Sequence, residues 1–158
     1  FNPFLYAEAH ETKDWSLHYY AYSPKSVFPK GKYLYFPKNG FDKAVKDGYV
    51  FLVDGFFDAI SVCAAGFNAG ATMGSIITPE MLVQLRFIDR IIHIADNDAA
   101  GYEVYEQLRK HLKNVELLKQ GKTKDADELL KSENREQFIH YLQDTVINGR
   151  KAVRLVSF

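Results

Sequence analysis

The chain has little cysteine, and this limits the kinds of site that it can build. Cys63 is the single cysteine among 158 residues, so an internal disulfide and a cysteine-rich zinc site are both excluded. Cys63 lies in the apolar stretch 59–65, where a buried structural thiol is expected. Such sparse use of cysteine fits the reducing cytoplasm, where we expect the protein to work.

Long hydrophobic runs and an excess of one charge are also missing. No apolar segment approaches the roughly 20 residues of a membrane-spanning helix, and the first residues show no signal-peptide pattern; we therefore expect no membrane partner. The 20 basic and 20 acidic residues give a net charge of zero at pH 7, which excludes a simple polycation for nucleic acid. Phosphate binding must then depend on a local site or on a metal ion.

The composition that is present is that of a folded domain. Hydrophobic residues make up 47% of the chain and aromatic residues 15%, which is enough to bury a core and excludes a disordered chain. The length suits one domain with a small appendage. Because the first residue is Phe1 rather than Met, we expect either a piece of a longer protein or a chain that is ordered only in part.

Three parts follow one another along the chain: residues 1–48, 49–131 and 132–158. The first is rich in aromatic residues, Pro and Lys, with short β-type stretches at Trp15–Tyr22 and Tyr33–Phe36. Prolines and glycines punctuate this part of the chain and argue against helices there, so we predict a small β-rich N-terminal segment. They are Pro24, Pro29, Gly31, Pro37 and Gly40. The last part is predicted to be a helix, 133–147, and a tail.

From Tyr49 onwards, strand and helix patterns alternate. Strands are predicted at 49–53, 68–72, 90–95 and 115–118, and helices at 56–65, from 78 onwards, at 99–112 and at 125–131. This alternation predicts an α/β fold with a parallel sheet of about four strands and helices on both faces.

Acidic residues follow three of the predicted strands. Asp54 ends the first, Asp96 and Asp98 follow the third, and Asp125 and Asp127 follow the fourth. Ligands of open α/β sheets bind at the carboxyl ends of the strands, where converging carboxylates would raise each other's pKa values. Mg²⁺ removes this conflict, because it prefers oxygen ligands and is often held by one or two carboxylates together with substrate phosphate.

Each acid also has a purely structural interpretation. Asp98 precedes a predicted helix and suits an N-cap, while Asp127 and Glu128 suit the first turn of the next helix, where acids complement the helix dipole. Asp58 fits the same role, and we place it outside the predicted site. His93, inside an apolar strand, is interpreted as a core histidine whose hydrogen bonds are satisfied.

Four segments, in order, resemble the Toprim domain of the bacterial DnaG-type primase and primase-helicase family over roughly residues 49–131. They are the sequences Phe51–Ala59 (FLVDGFFDA), Ala71–Gly74 (ATMG), Asp96–Gly101 (DNDAAG) and Lys124–Leu130 (KDADELL). The Ala-Ala-Gly and Lys-Asp-x-Asp sequences favour the primase branch over the topoisomerases, which moreover need a nucleophilic tyrosine that cannot be singled out here.

The resemblance implies a Rossmann-like Toprim fold and the catalytic fragment of a primase, a nucleotidyltransferase. It would make RNA primers on a single-stranded DNA template from nucleoside triphosphates during replication. The catalytic residues would be Asp54, Asp96 and Asp98. Mg²⁺, with Mn²⁺ as a substitute, would be bound by Asp96 and Asp98, with Asp125 and Asp127 as further acids. The family also implies a bacterial cytoplasm, or a phage or mobile element in a bacterial host, and a replicative helicase or helicase domain as partner.

One position departs from the family pattern. Asp54 stands where the family usually has Glu, and its carboxylate is about 1.5 Å shorter in reach. Asp54 is therefore expected to act as an acid/base, to contact the metal indirectly, or to mark a weakened site. Two alternatives stay open: a metal-dependent Toprim nuclease, and a degenerate Toprim that binds only nucleic acid or a partner.

Lysines and aromatic residues alternate between Pro24 and Lys46. We expect Lys25, Lys30, Lys32 and Lys38 to contact nucleic acid, since lysines neutralise phosphates and aromatic rings stack on bases. The looser resemblance of 31–37 to the segment that precedes Toprim in primases supports this role. The alternative is a small β subdomain with solvated lysines.

Overall fold

The centre of the molecule is a parallel sheet of four strands. The structure, a computed structural model, describes residues 32–118 and 125–148. The strands are β1 (Tyr49–Val53), β2 (Ala69–Ala71), β3 (Arg90–Ile94) and β4 (Val115–Leu118). They lie in the order β2-β1-β3-β4, and every neighbouring pair is parallel. The predicted parallel sheet of about four strands is confirmed.

Six helices lie along the described chain. They are α1 (Gly40–Asp47), α2 (Phe56–Ala64), α3 (Pro79–Leu85), α4 (Ala99–His111), α5 (Ala126–Lys131) and α6 (Arg135–Asn148). Those after residue 49 agree with the predicted helices to within about two residues wherever a start or an end was predicted. None of the helices in the described ranges is both long and apolar enough to cross a membrane.

The helices cover both faces of the sheet, as predicted. Successive residues of β1 point to opposite faces, as in any strand. Phe51 and Val53 join a core formed with α2, α5 and α6, while Val50 and Leu52 join a second core formed with α1, α3 and α4. All four side chains are buried, which explains the continuous apolar run of β1.

The prediction that helices are absent before residue 49 was wrong, because α1 forms there. Gly40 is the first residue of α1 and so does not interrupt it, and Gly48 ends the helix in a left-handed conformation (φ 77°) with its N–H bonded to the Ala44 carbonyl. Ala44 is buried in the same core as Val50. The residue types that suggested turns therefore mark the two ends of a short helix.

The predicted strand Tyr33–Phe36 is reduced to a single antiparallel bridge between Tyr35 and Ala71 of β2. Phe36 lies directly over Gly70, where a Cβ atom would come within 2.8 Å of its ring. This segment therefore covers the β2 edge of the sheet. The predicted strand Trp15–Tyr22 lies outside the described residues.

Candidate active site

The carboxylate of Asp54 connects the end of β1 to β3. Its Oδ2 accepts a hydrogen bond from the main-chain N–H of Asp96 at 3.1 Å. Its Oδ1 lies 3.1 Å from Nε2 of His93, which is fully buried. Both carboxylate oxygens of Asp54 are thus engaged within the protein, and the loop that carries Asp96 is held against the end of β1.

Asp96 lies among other acids. Burial is the main cause that raises its pKa to about 7, and the neighbouring charges of Asp54, Asp58, Asp125 and Asp98 add to the effect. A carboxyl group in this state is incompletely ionised at neutral pH. A divalent cation would favour its ionised form, because the positive charge offsets the repulsion between the acids.

Asp98 and Asp125 both cap helices. Asp98 accepts a hydrogen bond from the N–H of Gly101 at 2.9 Å, and Asp125 accepts one from the N–H of Glu128 at 2.8 Å. The N-cap interpretation of Asp98 is confirmed. Each of the two carboxylates caps its helix through Oδ1. Both side chains lie near Asp96, and their negative charges raise the pKa of Asp96.

Gly101 allows this loop to pack closely on α4. A Cβ atom at position 101 would lie 2.4 Å from the carbonyl oxygen of Asp96 and 2.8 Å from its nitrogen. No side chain fits at such distances from the main chain. The glycine that ends the Ala-Ala-Gly sequence after Asp98 is therefore required by the close approach of helix and loop.

The side chain of Asp127 is held in structural contacts. The hydroxyl of Ser61 donates to its Oδ1, and the ammonium of Lys131 lies 2.6 Å from its Oδ2. Burial works towards a higher pKa, but the hydrogen bonds from Lys131 and Ser61 outweigh it and lower the pKa of Asp127. The predicted role of Asp127 as a further metal ligand stays a prediction.

Asp58, which the sequence interpretation left outside the site, belongs to the acidic group. It is buried, and its Oδ1 accepts a hydrogen bond from the N–H of Asp127 at 2.8 Å. Burial raises the pKa of Asp58, and so do the charges of Asp125, Asp127 and Asp54. The signal that could have found it is its spacing: it lies four residues after Asp54, on the helix side that also carries the buried Val62.

The donor set fits an oxygen-preferring divalent cation. Within the described ranges, no three His, Cys, Asp or Glu side chains already converge in the arrangement of a metal site. Mg²⁺ does not require one, because it keeps several waters and often takes only one or two carboxylates along with substrate phosphates. The raised pKa of Asp96 among its acidic neighbours is the observation that supports this fit.

Two of the four predicted nucleic-acid lysines can be placed. Lys32 lies 3.4 Å from Glu80 and 5.5 Å from the centre of the Tyr33 ring, and Lys38 is exposed. Lys25 and Lys30 lie outside the described residues. The role of all four in binding nucleic acid stays a prediction.

Comparison with known families and proteins identifies relatives of the central domain. A family model described as Toprim-like matches residues 51–130. A DNA primase from Rickettsia bellii is 39% identical over 85 residues, which are 52% of this chain and 14% of that protein. A DNA primase from Clostridium acetobutylicum is 28% identical over 137 residues, or 80% of this chain and 22% of that protein. The chain thus spans less than a quarter of the length of these relatives.

Solved structures share the fold. A DnaG primase catalytic domain bound to single-stranded DNA superimposes with a TM-score of 0.60 at 20% identity, covering 75% of this chain and 40% of that one. The RNA polymerase domain of Mycobacterium tuberculosis primase DnaG gives a TM-score of 0.60 at 17% identity, covering 84% of this chain and 52% of that one. The sheet and its helices therefore share the fold of the matched part of these domains.

Proposed function

The chain belongs to the Toprim-like family, and we propose that it is the Toprim part of a DNA primase, a nucleotidyltransferase that makes RNA primers on single-stranded DNA. The observation that carries the proposal is the group of acids around Asp96, whose pKa is raised to about 7 by burial and by its neighbours. The relatives of this chain that are named DNA primase support the same assignment.

In this proposal Asp96 and Asp98 hold Mg²⁺, for which Mn²⁺ can substitute. Asp125 and Asp127 supply further acidic ligands or bind water molecules that are coordinated to a metal ion. When bound, the ion neutralises triphosphate charge and orients the attacking and leaving oxygens. Asp58 adds negative charge beside Asp125. Asp127 can bind the metal only if its Oδ2 gives up the contact with Lys131.

The template and partners follow from the primase assignment. The related DnaG catalytic domain was solved with single-stranded DNA, and we propose the same template here, contacted by Lys25, Lys30, Lys32 and Lys38. Nucleoside triphosphates would be the substrates and a replicative helicase or helicase domain a further partner, in the cytoplasm of a bacterium or of a bacterium that carries a phage or mobile element.

Photo-crosslinking tests the nucleotide site without requiring primer synthesis from a partial chain. An azido nucleoside triphosphate should label the parent protein only when Mg²⁺ or Mn²⁺ is added, and Asp96→Asn should abolish the labelling. Asp89→Asn is the matched control, because Asp89 is exposed and lies just before β3, whereas Asp96 follows the other end of that strand. Equal labelling of the parent protein and Asp96→Asn would contradict the proposal.

The hydrogen bonds of Asp54 favour a second candidate, a degenerate Toprim that binds nucleic acid without catalysis. Both oxygens of Asp54 already have a partner inside the protein, which leaves fewer of their lone pairs for a metal ion or a substrate. Single-stranded DNA binding that is indifferent to Mg²⁺ and to loss of Asp96 would favour this candidate. Metal-dependent cleavage of DNA or RNA without triphosphates would instead identify a nuclease.

A further inference from the structure

His93 is a polar residue in β3, a strand whose other residues from Ile91 to Ile94 are buried and apolar. It lies on β3 opposite Leu52 of β1 and Leu117 of β4, and none of its surface is exposed. Its ring stacks on Tyr105 of α4, with ring centres 6.4 Å apart and an angle of 11° between the planes. A leucine or isoleucine would fill such a position without a buried polar group, so packing alone does not explain the presence of an imidazole.

The two ring nitrogens of His93 have different surroundings. Nε2 lies 3.1 Å from Oδ1 of Asp54. Nδ1 is buried and has no hydrogen-bond partner within the described part of the chain. A proton on Nδ1 would be a buried donor without an acceptor, which is costly, whereas a proton on Nε2 is donated to Asp54. The geometry therefore selects the tautomer that carries its proton on Nε2.

Asp54 connects His93 to the acidic site. Oδ1 of Asp54 faces His93, and Oδ2 accepts the N–H of Asp96. The two oxygens of Asp54 belong to one rigid, planar carboxylate, so a contact that holds one oxygen also restricts where the other can lie. The ring of His93 thus helps to fix where the acceptor for the Asp96 N–H lies, although the ring itself is fully buried.

We propose that His93 is a positioning residue: through Asp54 it sets the main-chain position of Asp96 and hence the geometry of the acidic site. The proposal rests on the proposed function only where it concerns metal binding. It also gives the short Asp54 side chain a role, because a carboxylate held by two hydrogen bonds at the end of β1 connects strand and loop and need not extend towards a substrate.

The test compares His93→Leu, which removes the hydrogen bond, with His93→Gln, whose amide can still donate to Asp54. Tyr105→Phe is the matched control, since it keeps the ring that stacks on His93. Circular dichroism and thermal unfolding establish that each variant folds. Nuclear magnetic resonance then gives the chemical shift and hydrogen-exchange rate of the Asp96 amide, and long-range nitrogen correlations give the tautomer of His93 in the parent protein.

The Asp96 amide should shift and exchange faster in His93→Leu, remain close to the parent values in His93→Gln, and be unchanged in Tyr105→Phe. Mn²⁺ affinity should fall in His93→Leu by about tenfold to a hundredfold, the usual effect of losing a partner that orients a metal site, with partial recovery in His93→Gln. An unchanged Asp96 amide in His93→Leu, or a proton on Nδ1 in the parent protein, would overturn the proposal.

These readouts separate the two proposals. If the parent protein binds no Mn²⁺, the proposed function fails, but the Asp96 amide and the tautomer of His93 still decide whether His93 positions Asp54. If Mn²⁺ binds equally well to the parent protein and to His93→Leu, the positioning role fails and the metal site stands.

Discussion

The main-chain N–H of Asp127 donates a hydrogen bond across 2.8 Å to Oδ1 of Asp58, and this contact joins the start of α5 to the first turn of α2. The donor and acceptor lie 69 positions apart in the chain. Because Asp58 is buried beside three other acids, the same carboxylate that supports the fold also contributes negative charge to the proposed site.

Removal of the Asp58 carboxylate should destabilise the protein. Asp58→Ala leaves the N–H of Asp127 without its acceptor, at a cost of about 1–3 kcal/mol, while Asp58→Asn can keep the acceptor and should lose much less. Urea unfolding of the three proteins at pH 7 measures the difference. If Asp58→Ala unfolds at the same urea concentration as the parent protein, the contact has no structural importance.

The raised pKa of Asp96 predicts how stability changes with pH. In the folded protein this pKa is about 7, against 3.8 for an unperturbed aspartate. The folded state therefore holds a proton that the unfolded chain releases, so the contribution to stability is complete below about pH 4 and is lost as pH rises towards 7.

Unfolding at pH 5 and pH 8 checks this sign. The parent protein should lose more stability between these pH values than Asp96→Asn does, and carboxyl carbon resonances should give Asp96 a midpoint near 7. The midpoint should decrease in Asp58→Asn, since one neighbouring charge is removed. A parent midpoint close to 4 would show that neither burial nor the neighbouring acids raise the pKa of Asp96.

Gly101→Ala should disturb both stability and the site. The added methyl group would lie 2.4 Å from the carbonyl oxygen of Asp96, and relief of such an overlap typically costs about 1–3 kcal/mol, more than the helix propensity of Ala returns. Gly74→Ala is the control, because no heavy atom lies within 4 Å of the new methyl group. Equal thermal stability of the two variants would contradict the close packing of α4 on the loop.

The proposed template contact predicts a change in salt dependence. Loss of one phosphate contact lowers the slope of log affinity against log salt by about 0.7 for single strands, so Lys38→Ala should have a shallower slope than the parent protein. Lys110→Ala serves as control, because Lys110 is exposed in the last turn of α4, the helix that leads into the start of β4. Fluorescence anisotropy with labelled single-stranded DNA at several salt concentrations measures both; identical slopes for Lys38→Ala and the parent protein would remove Lys38 from the template path.

The strands and helices can be predicted because each is marked by residues that are close together in the sequence. The apolar run of β1 and the Thr78-Pro79 helix start each identify an element within a few residues, and Thr78 does cap α3 with a hydrogen bond from the N–H of Met81. Acids at strand ends were predictable for the same reason, since parallel strands bring their carboxyl ends to one edge.

What could not be predicted depends on contacts between distant residues. Asp58 looks like an ordinary first-turn acid until α5 places the Asp127 N–H against it. His93 looks like a core residue until the end of β1 brings Asp54 within 3.1 Å. Among residues 32–118 and 125–148, its Nδ1 has no hydrogen-bond partner, whereas the sequence interpretation expects both ring nitrogens to be satisfied. The sequence pattern does not predict helix α1, because Gly40 suggests an interruption but is the first residue of the helix.

Calorimetric titration of Mg²⁺ or Mn²⁺ tests the central claim most directly, with and without a nucleoside triphosphate, in the parent protein and in the double variant Asp96→Ala/Asp98→Ala. The acidic site predicts metal binding that tightens when the triphosphate is present and disappears in the double variant. Absence of metal binding in the parent protein, or equal binding in the double variant, would contradict a primase-type metal site in this domain.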